Sequence, residues 1–526
     1  MSDIQDKRRT KAENPATGQM LGYSRLHSKE ELVQMISKAR QAQKLWAVMK
    51  ISERRNRILK IRKFIVKQVE TLTEVIARDN GKTRIDALAT EVLPATLAVT
   101  YYCKKAKSFL KEQKLSSSSF VIMNKRSRVI RVPYGVIGII SPWNYPFTIP
   151  FSEIIMGLLA GNAVILKTAS ETQMVGLALK ESIEAAGLPE GVFQYVNMPG
   201  RVAGDAFLES GIDKLFFTGS VPVGKKLMAK ASETLTPVCL ELGGNDAMIV
   251  CSDADPERAA AGAVWAGFQN AGQSCGGVER IYVHQAVYDC FMKKLKEYTE
   301  RLKVGYDEDY TIDMGVMTAE RQVKTVKQHV DDALSKGAEI YARSRDPERP
   351  DLKNVHPAVV LTNVKHDMQV MKEETFGPVV AVMNVASDKE AIELANDSNL
   401  GLTGSVWSKN RLKARRIARQ IKAGTVTIND HLMSHGLPET AWGGFKESGI
   451  GRTHGKLGFD EMTQAQTIVD DVLPGVRKDL WWHPFNKRVY DGLRGLIHML
   501  YGESLGKRIS GTWRVLKILP RMFSAK

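Results

Sequence analysis

The sequence predicts a doubly wound α/β fold, in which parallel strands are joined by helical crossovers. Two observations predict it. Short apolar runs of strand length alternate with helix-like stretches from Val136 to Val250, and a second set follows from Ala254 to about Asn429. Glycine-bearing turns follow several of these runs, where open α/β sheets bind ligands. At 526 residues the chain is long enough for two or three domains, and 43% hydrophobic content supports buried cores.

The elements follow in order. MSDIQDKRRTK at the start is charged and has no apolar core, so it does not read as a signal peptide. No apolar run reaches the roughly 18 residues of a spanning helix. Residues 29–110 read as helices, with Leu32, Ile36, Ala39 and Ala42, then Ile58, Ile61, Ile65 and Val69, at roughly helical spacing. Residues 120–134 (FVIMNKRSRVIRVPY) place two short apolar runs around a basic polar turn and predict a β-hairpin. Strands are expected at Val136–Ile140, Ala163–Leu166, Val192–Val196, Lys214–Phe217, Val238–Glu241 and Ala247–Val250. The second set includes Arg280–Val283 and Val379–Met383. There is no internal repeat and no low-complexity segment.

Five scattered cysteines (Cys103, Cys239, Cys251, Cys275 and Cys290) lack paired spacing. This argues against a disulfide framework or a zinc site and for a reducing, cytoplasmic compartment. The formal net charge is +17; residues 477–526 hold 11 Lys/Arg against 3 Asp/Glu, a local excess of 8. A basic aromatic tail suits an anionic membrane surface or an acidic partner better than nucleic acid, for which no motif is present.

Cys275 lies among small residues in Gln269-Asn-Ala-Gly-Gln-Ser-Cys-Gly-Gly277, and Glu241 opens the tight turn Glu241-Leu-Gly-Gly244. A thiol that attacks an electrophilic carbon and a carboxylate that activates water support a two-step acyl chemistry. Asn144, in Ser141-Pro-Trp-Asn-Tyr-Pro146 after an apolar strand, either donates to a developing oxyanion or sits in a plain loop. Gly219 and Gly224 flank a strand-to-helix turn, Phe217-Thr-Gly-Ser-Val-Pro-Val-Gly-Lys225, suited to a phosphate. Lys226 stands where a P-loop needs Ser or Thr, which excludes the nucleotide-hydrolase reading. Lys167 ends its strand and is either solvated or a ligand contact. Glu373-Glu-Thr-Phe-Gly-Pro378 and Trp442-Gly-Gly-Phe-Lys446 are either binding loops or surface turns.

Seven motifs in order (PWNYP, LKTAS, FTGS…G, ELGG, GQSC, EETFGP, WGGFK) resemble the aldehyde dehydrogenase superfamily over about residues 10–470. The resemblance implies that Cys275 is the nucleophile forming a thiohemiacetal. Asn144 and the Cys275 backbone N–H would form the oxyanion hole. Hydride would pass to NAD or NADP, and Glu241 would activate the water that hydrolyses the thioester. Trp143, Lys167, Ser170, Gly219, Ser220, Gly224, Glu374 and Phe376 would hold the dinucleotide. No metal is implied.

The implied architecture is a Rossmann-like cofactor domain (1–119 and 135–244), a catalytic α/β domain (245–440) and a small β oligomerisation element (120–134 and 463–475). A basic amphipathic extension (476–526) follows. Exposed edges of the β element favour a homodimer or homotetramer.

Ser170 stands where NAD-preferring members often carry Glu, and Glu171 follows it. Without that carboxylate a like-charge clash with NADP is absent, so NADP is expected to be at least tolerated. Tyr145, Phe147, Thr148, Ile149 and Ser152 fall where the family lines its substrate tunnel, and the small Thr148 and Ser152 predict a roomy one. The loop between Asn429 and Trp442 carries no Arg or Lys for a substrate carboxylate. The expected substrate is therefore an apolar medium-chain, long-chain or aromatic aldehyde. A CoA-acylating or semialdehyde-specific member is the alternative, and a non-catalytic membrane-associated scaffold is the alternative of another class.

In the tail, Leu493, Leu496, Ile497 and Leu500 share one helical face, and Leu505, Ile509, Trp513 and Leu516 form a second stripe. Such helices either lie in a membrane interface on the inner face of a membrane or pack on the protein itself.

Overall fold

A computed structural model describes residues 9–473 and 475–524. Residues 1–8, on which the leader-segment reading mostly rests, lie outside the described residues. The chain divides into two compact units, residues 1–110 with 132–464 and residues 111–131 with 465–526.

The larger unit contains two main sheets. In the first, β1 (Val136–Ile140), β2 (Ala163–Lys167), β3 (Phe193–Tyr195), β4 (Lys214–Thr218) and β5 (Val238–Glu241) run parallel in the order β5-β4-β1-β2-β3. Gly449–Ile450 adds an antiparallel edge beside β5. Alternate side chains enter different cores: Ile137 and Ile139 pack with Phe151, Ile154 and Leu158, whereas Val136 and Ile140 pack with Phe207 and Leu215. A sheet covered on both faces reads as continuous apolar runs, which is why these strands were legible.

The second sheet is built from β6 (Asp246–Val250), β7 (Val278–His284), β8 (Glu339–Arg343), β9 (Val359–Thr362), β10 (Val379–Val385), β11 (Thr403–Trp407) and β12 (Thr425–Ile428), in the order β8-β9-β10-β7-β6-β11-β12. Only β8 runs antiparallel to its neighbour. Four residues, Leu242–Asn245, carry the chain from the carboxyl end of β5 to the start of β6. Arg280 pins this link by donating Nε and Nη2 to the Asn245 carbonyl at 2.9 and 2.8 Å.

The smaller unit corrects one sequence reading. The expected hairpin at 120–134 is absent: Phe120–Ile122 is one 3-10 turn, started by Ser119 Oγ accepting from Val121 N. Only Lys125–Pro133 is a strand, and it lies between Gln113–Lys114 and Thr463–Asp471. Its partner came from the far end of the chain, which local periodicity does not report. The tail forms two helices, Lys487–Tyr501 and Leu505–Ile518. Their seam is made of glycines rather than the leucine faces. A Cβ on Gly492 would lie 2.3 Å from Ile518 Cδ1, and one on Gly511 2.4 Å from the Gly495 carbonyl. Leu505, Ile509, Trp513 and Leu516 all remain exposed, Trp513 at 62%. Among the described residues no helix is long and apolar enough to cross a membrane.

Candidate active site

The carboxyl ends of β1, β2, β4 and β5 open into one cavity of about 860 Å³. The turn after β1 presents Trp143 and Asn144, β2 ends in Lys167 with Ser170 and Glu171 just beyond, and the turn after β4 presents Gly219 and Ser220. β5 ends in Glu241. From the second sheet's side come Cys275, ahead of β7, and Glu374 and Phe376, ahead of β10. Ten of the eleven sequence-predicted site residues thus line a single cavity. Gly224 does not; a Cβ there would meet Leu242 Cδ2 at 2.6 Å, so its absence lets the Val221–Ala231 helix pack on the β5 turn.

Two glycines bring the Glu241 turn against the Cys275 loop. A Cβ on Gly244 would sit 2.2 Å from the Cys275 carbonyl, and one on Gly243 2.3 Å from Glu374 Oε2. The Gly244 N–H donates to Glu374 Oε1 at 2.9 Å. The Cys275 loop is itself bent by consecutive left-handed residues, Asn270, Ala271 and Gly272. Beyond it, Gly276 faces the Trp442 ring, which sits 2.8 Å from where a Cβ would be.

Asn144 is buried. Its Nδ2 donates to the Gln273 carbonyl at 3.1 Å, and one amide N–H can use only part of the group's donor capacity. Its backbone is held by residues that the sequence reading passed over. Lys82 Nζ donates to the Asn144 carbonyl at 2.8 Å and pairs with Glu91 at 2.6 Å, both side chains fully buried. Glu91 in turn accepts from Phe147 N and Thr148 N, the first turn of the Thr148–Ala160 helix. Asn80 Nδ2 donates to the Trp143 carbonyl at 2.7 Å. The signal was present as the polar break Asp79-Asn-Gly-Lys-Thr83 in a helical region. Read locally, it is only a turn.

The predicted tunnel residues behave differently. Phe147 is fully buried and stacks on Phe151 at 5.6 Å, and Thr148 and Ser152 are buried in the same helix. Tyr145 donates its hydroxyl to Gln269 at 2.6 Å with Lys82 over its ring. Of the five, Ile149 alone reaches the space beside Cys275, a cavity of about 10 Å³. The roomy tunnel expected from Thr148 and Ser152 is not formed there, because the helix's apolar faces are consumed by the core.

Burial pushes the Cys275 thiol up, and the carboxylates of Glu374, Asp246 and Glu241 push it further. Positive charge brought beside the sulfur favours the thiolate. Burial raises Glu241 well above the usual carboxylate range, helped by the charge of Glu153 and opposed by Arg452. Burial lowers Lys167, and Glu171 opposes this. His431 and His435 are held neutral, each pushed down to about 4 by burial.

A half-buried thiol, an amide donor and an unpartnered carboxylate around a cavity of dinucleotide size suit carbonyl chemistry. A sequence model of the aldehyde dehydrogenase family matches residues 3–468, and the chain belongs to that family of oxidoreductases. It is 38% identical to 4,4'-diapolycopene aldehyde oxidase of a Methylomonas species over 494 residues, covering 94% of this chain and 91% of the relative. It is 37% identical to a protein of Mycolicibacterium smegmatis named as a putative NADP+ succinate-semialdehyde dehydrogenase, covering 91% and 93%. The solved structure of betaine aldehyde dehydrogenase from Staphylococcus aureus in complex with NAD+ superposes with a TM-score of 0.85 at 30% identity, covering 91% of this chain and 97% of that one.

Proposed function

We propose that this chain oxidises an apolar aldehyde to its carboxylic acid with NAD or NADP, through a thioester on Cys275. The observation that carries it is the convergence of Cys275, Asn144 and Glu241 on one cavity with the predicted dinucleotide contacts. The first sheet and its helices serve as the cofactor domain and the second as the catalytic domain.

The residues present fit a dinucleotide. The volume lies in the ligand-site range, and the Val221–Ala231 helix starts at Ser220, whose side chain makes no cap bond. Ser220, Gly219 and the helix N-terminus hold the pyrophosphate, Lys167 and Ser170 the adenosine ribose, and Glu374 the nicotinamide ribose, with Trp143 and Phe376 beside the ring. When bound, the cofactor supplies the hydride acceptor and a positive charge. Ser170 places no carboxylate there, and Glu171 is engaged by Arg321 at 2.5 Å. Arg201 also lines the cavity. This cationic lining supports NADP as well as NAD.

Cys275 Sγ attacks the aldehyde carbon. The free N–H of Asn144 and the Cys275 backbone N–H donate to the oxygen as it gains charge. After oxidation the acyl group is held on Sγ. Glu241 removes a proton from water, whose oxygen bonds to the acyl carbon and releases the acid. This base supports water rather than CoA as the acceptor. Ile149, Trp442 and neutral His435 beside Cys275 favour an apolar substrate. The semialdehyde reading rests on the mycobacterial relatives and requires a cation that this lining lacks.

The smaller unit supports two further assignments: a homodimer or homotetramer built on its sheet edges, and attachment of the enzyme to the cytoplasmic face of an anionic membrane. The exposed stripe with Trp481, Trp482 and Phe523, the local excess of 8 positive charges and an apolar cavity of about 390 Å³ favour the second.

The test is NADH and NADPH production over straight-chain aldehydes of increasing length, with benzaldehyde, succinic semialdehyde and added CoA as comparison arms. Turnover rising with chain length and lost in Cys275→Ala supports the reading. Preference for succinic semialdehyde replaces the substrate class, and no turnover with any arm moves the scaffold reading to the front.

A further inference from the structure

The Thr148–Ala160 helix is buried along its whole length, and its sequence, TIPFSEIIMGLLA, carries one ionisable group. That group, Glu153, is 4% exposed. A buried carboxylate ordinarily has a cation or several donors. Here burial alone pushes Glu153 up to about 8, with nothing pulling it back.

Glu153 faces a second acid. Together with Glu241, Cys275, Thr453, His435 and His454 it lines the cavity of about 10 Å³, which has room for about one water. Cys275 and Glu241 line this small cavity and the large one alike, so it adjoins the reacting sulfur. Both Glu241 oxygens and His454 Nδ1 are buried without a partner. Three unpartnered polar atoms on two residues that line a water-sized space are an arrangement that a water satisfies.

The charges acting on Glu241 are few. Glu153 and Glu461 raise it, and Arg452 lowers it. Cys239 on the same strand and Cys275 are held as thiols by burial. Near Glu153, Tyr102 is likewise held neutral, as are His435 and His454. The two carboxyls therefore titrate against each other with little compensation.

We propose that Glu153 is a positioning residue for acyl-enzyme hydrolysis, forming with Glu241 a carboxyl pair across a one-water cavity and tuning Glu241 as the base that acts on that water. The inference rests on the proposed role of Glu241. Two acids at close range lose their protons in two steps, and the second loss yields the competent base. In the step itself, Glu241 takes one proton from the water and the hydroxide oxygen bonds to the acyl carbon. The C–S bond breaks with its electron pair on Sγ. The proton on Glu241 then passes to Sγ, restoring the thiol. Glu153 takes no part in bond making; its charge raises the proton affinity of Glu241 and makes it a stronger base.

The experiment uses the full chain without dinucleotide and p-nitrophenyl acetate as the probe. The ester acylates a reactive thiol and releases p-nitrophenol, so the burst reports acylation of Cys275 and the steady state reports hydrolysis. Both are followed from pH 5 to 10 for wild type, Glu153→Gln and Glu153→Asp, with Glu153→Met in reserve should the Gln variant not fold. The expected result is an acid limb of the steady state that falls by about one pH unit in Glu153→Gln, or about tenfold faster hydrolysis below the wild-type limb. Glu153→Asp keeps the wild-type limb, and the burst is unchanged in all. A merely structural role would lower the rate without moving the limb. A limb shared by wild type and Glu153→Gln, or Glu153→Met, overturns the proposal. A wild type with no burst overturns the Cys275 reading instead, so the two failures are distinguishable.

Discussion

The floor of the active site and the C-terminal helix pair break the burial rule in opposite directions. Around Cys275 the protein buries carboxylates, with Glu241 5% exposed and both its oxygens unpartnered. In the tail it exposes Leu505, Ile509, Trp513 and Leu516 while packing the helices through glycines. Each arrangement is unfavourable by itself, since a buried charge loses water and an exposed apolar stripe keeps it ordered. The difference teaches what each region is prepared to meet. Under the proposed function, the floor meets a proton and a reacting carbonyl, and the tail meets a surface that removes water from it.

The largest expected effects lie at the floor. Cys275→Ala removes the proposed nucleophile and is expected to lower kcat/KM by about 10⁴-fold or more. Glu241→Gln is expected to keep the burst with p-nitrophenyl acetate while slowing the steady state by about 10²- to 10⁴-fold, as loss of a general base does. Equal loss of both phases would mean that Glu241 acts before acylation and would erase the division of labour assigned here.

Lys82→Met tests whether the floor's acids depend on the few cations present. It leaves Glu91 buried without its cation, and a loss of about 3–5 kcal/mol in denaturant unfolding is expected. A loss below about 1 kcal/mol would show that the backbone N–H groups of Phe147 and Thr148 suffice to hold Glu91.

The pH dependence of stability sharpens the comparison. A carboxyl raised on folding binds its proton more tightly in the native state than in the unfolded chain. Its unfavourable contribution is absent below the unfolded value and grows as pH rises towards about 8. Glu153→Gln is therefore expected to gain stability over wild type at pH 8 and to match it near pH 4. A gain independent of pH would remove the titration argument.

The smallest effects on the fold are expected in the tail. Trp513→Ser with Ile509→Ser should change unfolding stability by no more than about 0.5 kcal/mol each, since both side chains are exposed. The same pair should weaken binding to vesicles of anionic phospholipid by about tenfold or more. Unchanged vesicle binding, or binding that survives deletion of residues 477–526, would reassign the stripe to another partner. At the cofactor end, Ser170→Glu restores a carboxylate and should lower kcat/KM with NADP by about tenfold relative to NAD.

Legibility followed the range of the interactions. The strands of the first sheet and the three central strands β6, β7 and β10 of the second were readable because covered strands are largely apolar, and Val238–Glu241 appears with its expected bounds; β8, β9, β11 and β12 were not named. Cys275, Glu241 and Asn144, which meet at one cavity, stood out as candidates because each stands in a glycine- or proline-marked turn. Lys82 and Glu91 were not, since what they hold, the backbone of Asn144, Phe147 and Thr148, lies more than fifty residues along the chain, and locally Lys82 is a turn residue and Glu91 one charge in a helical region. The 120–134 hairpin failed because Lys125–Pro133 found strand Thr463–Asp471 instead of the adjacent run. Thr148 and Ser152 were placed on the tunnel by the family resemblance and their size predicted a roomy one, and packing placed them in the core.

The sequence by itself determined the element types, the order of the sheets' strands along the chain and which side chains have the chemistry to react. Those properties depend on backbone preference, side-chain periodicity and functional groups, all of them local. Tertiary structure decided which turns meet, which acids lose water and which apolar faces keep it. Glu153 is the clearest case. In sequence it is one acid in an apolar helix, and only the approach of Glu241, from a strand some ninety residues away, leaves the two facing each other across space for one water.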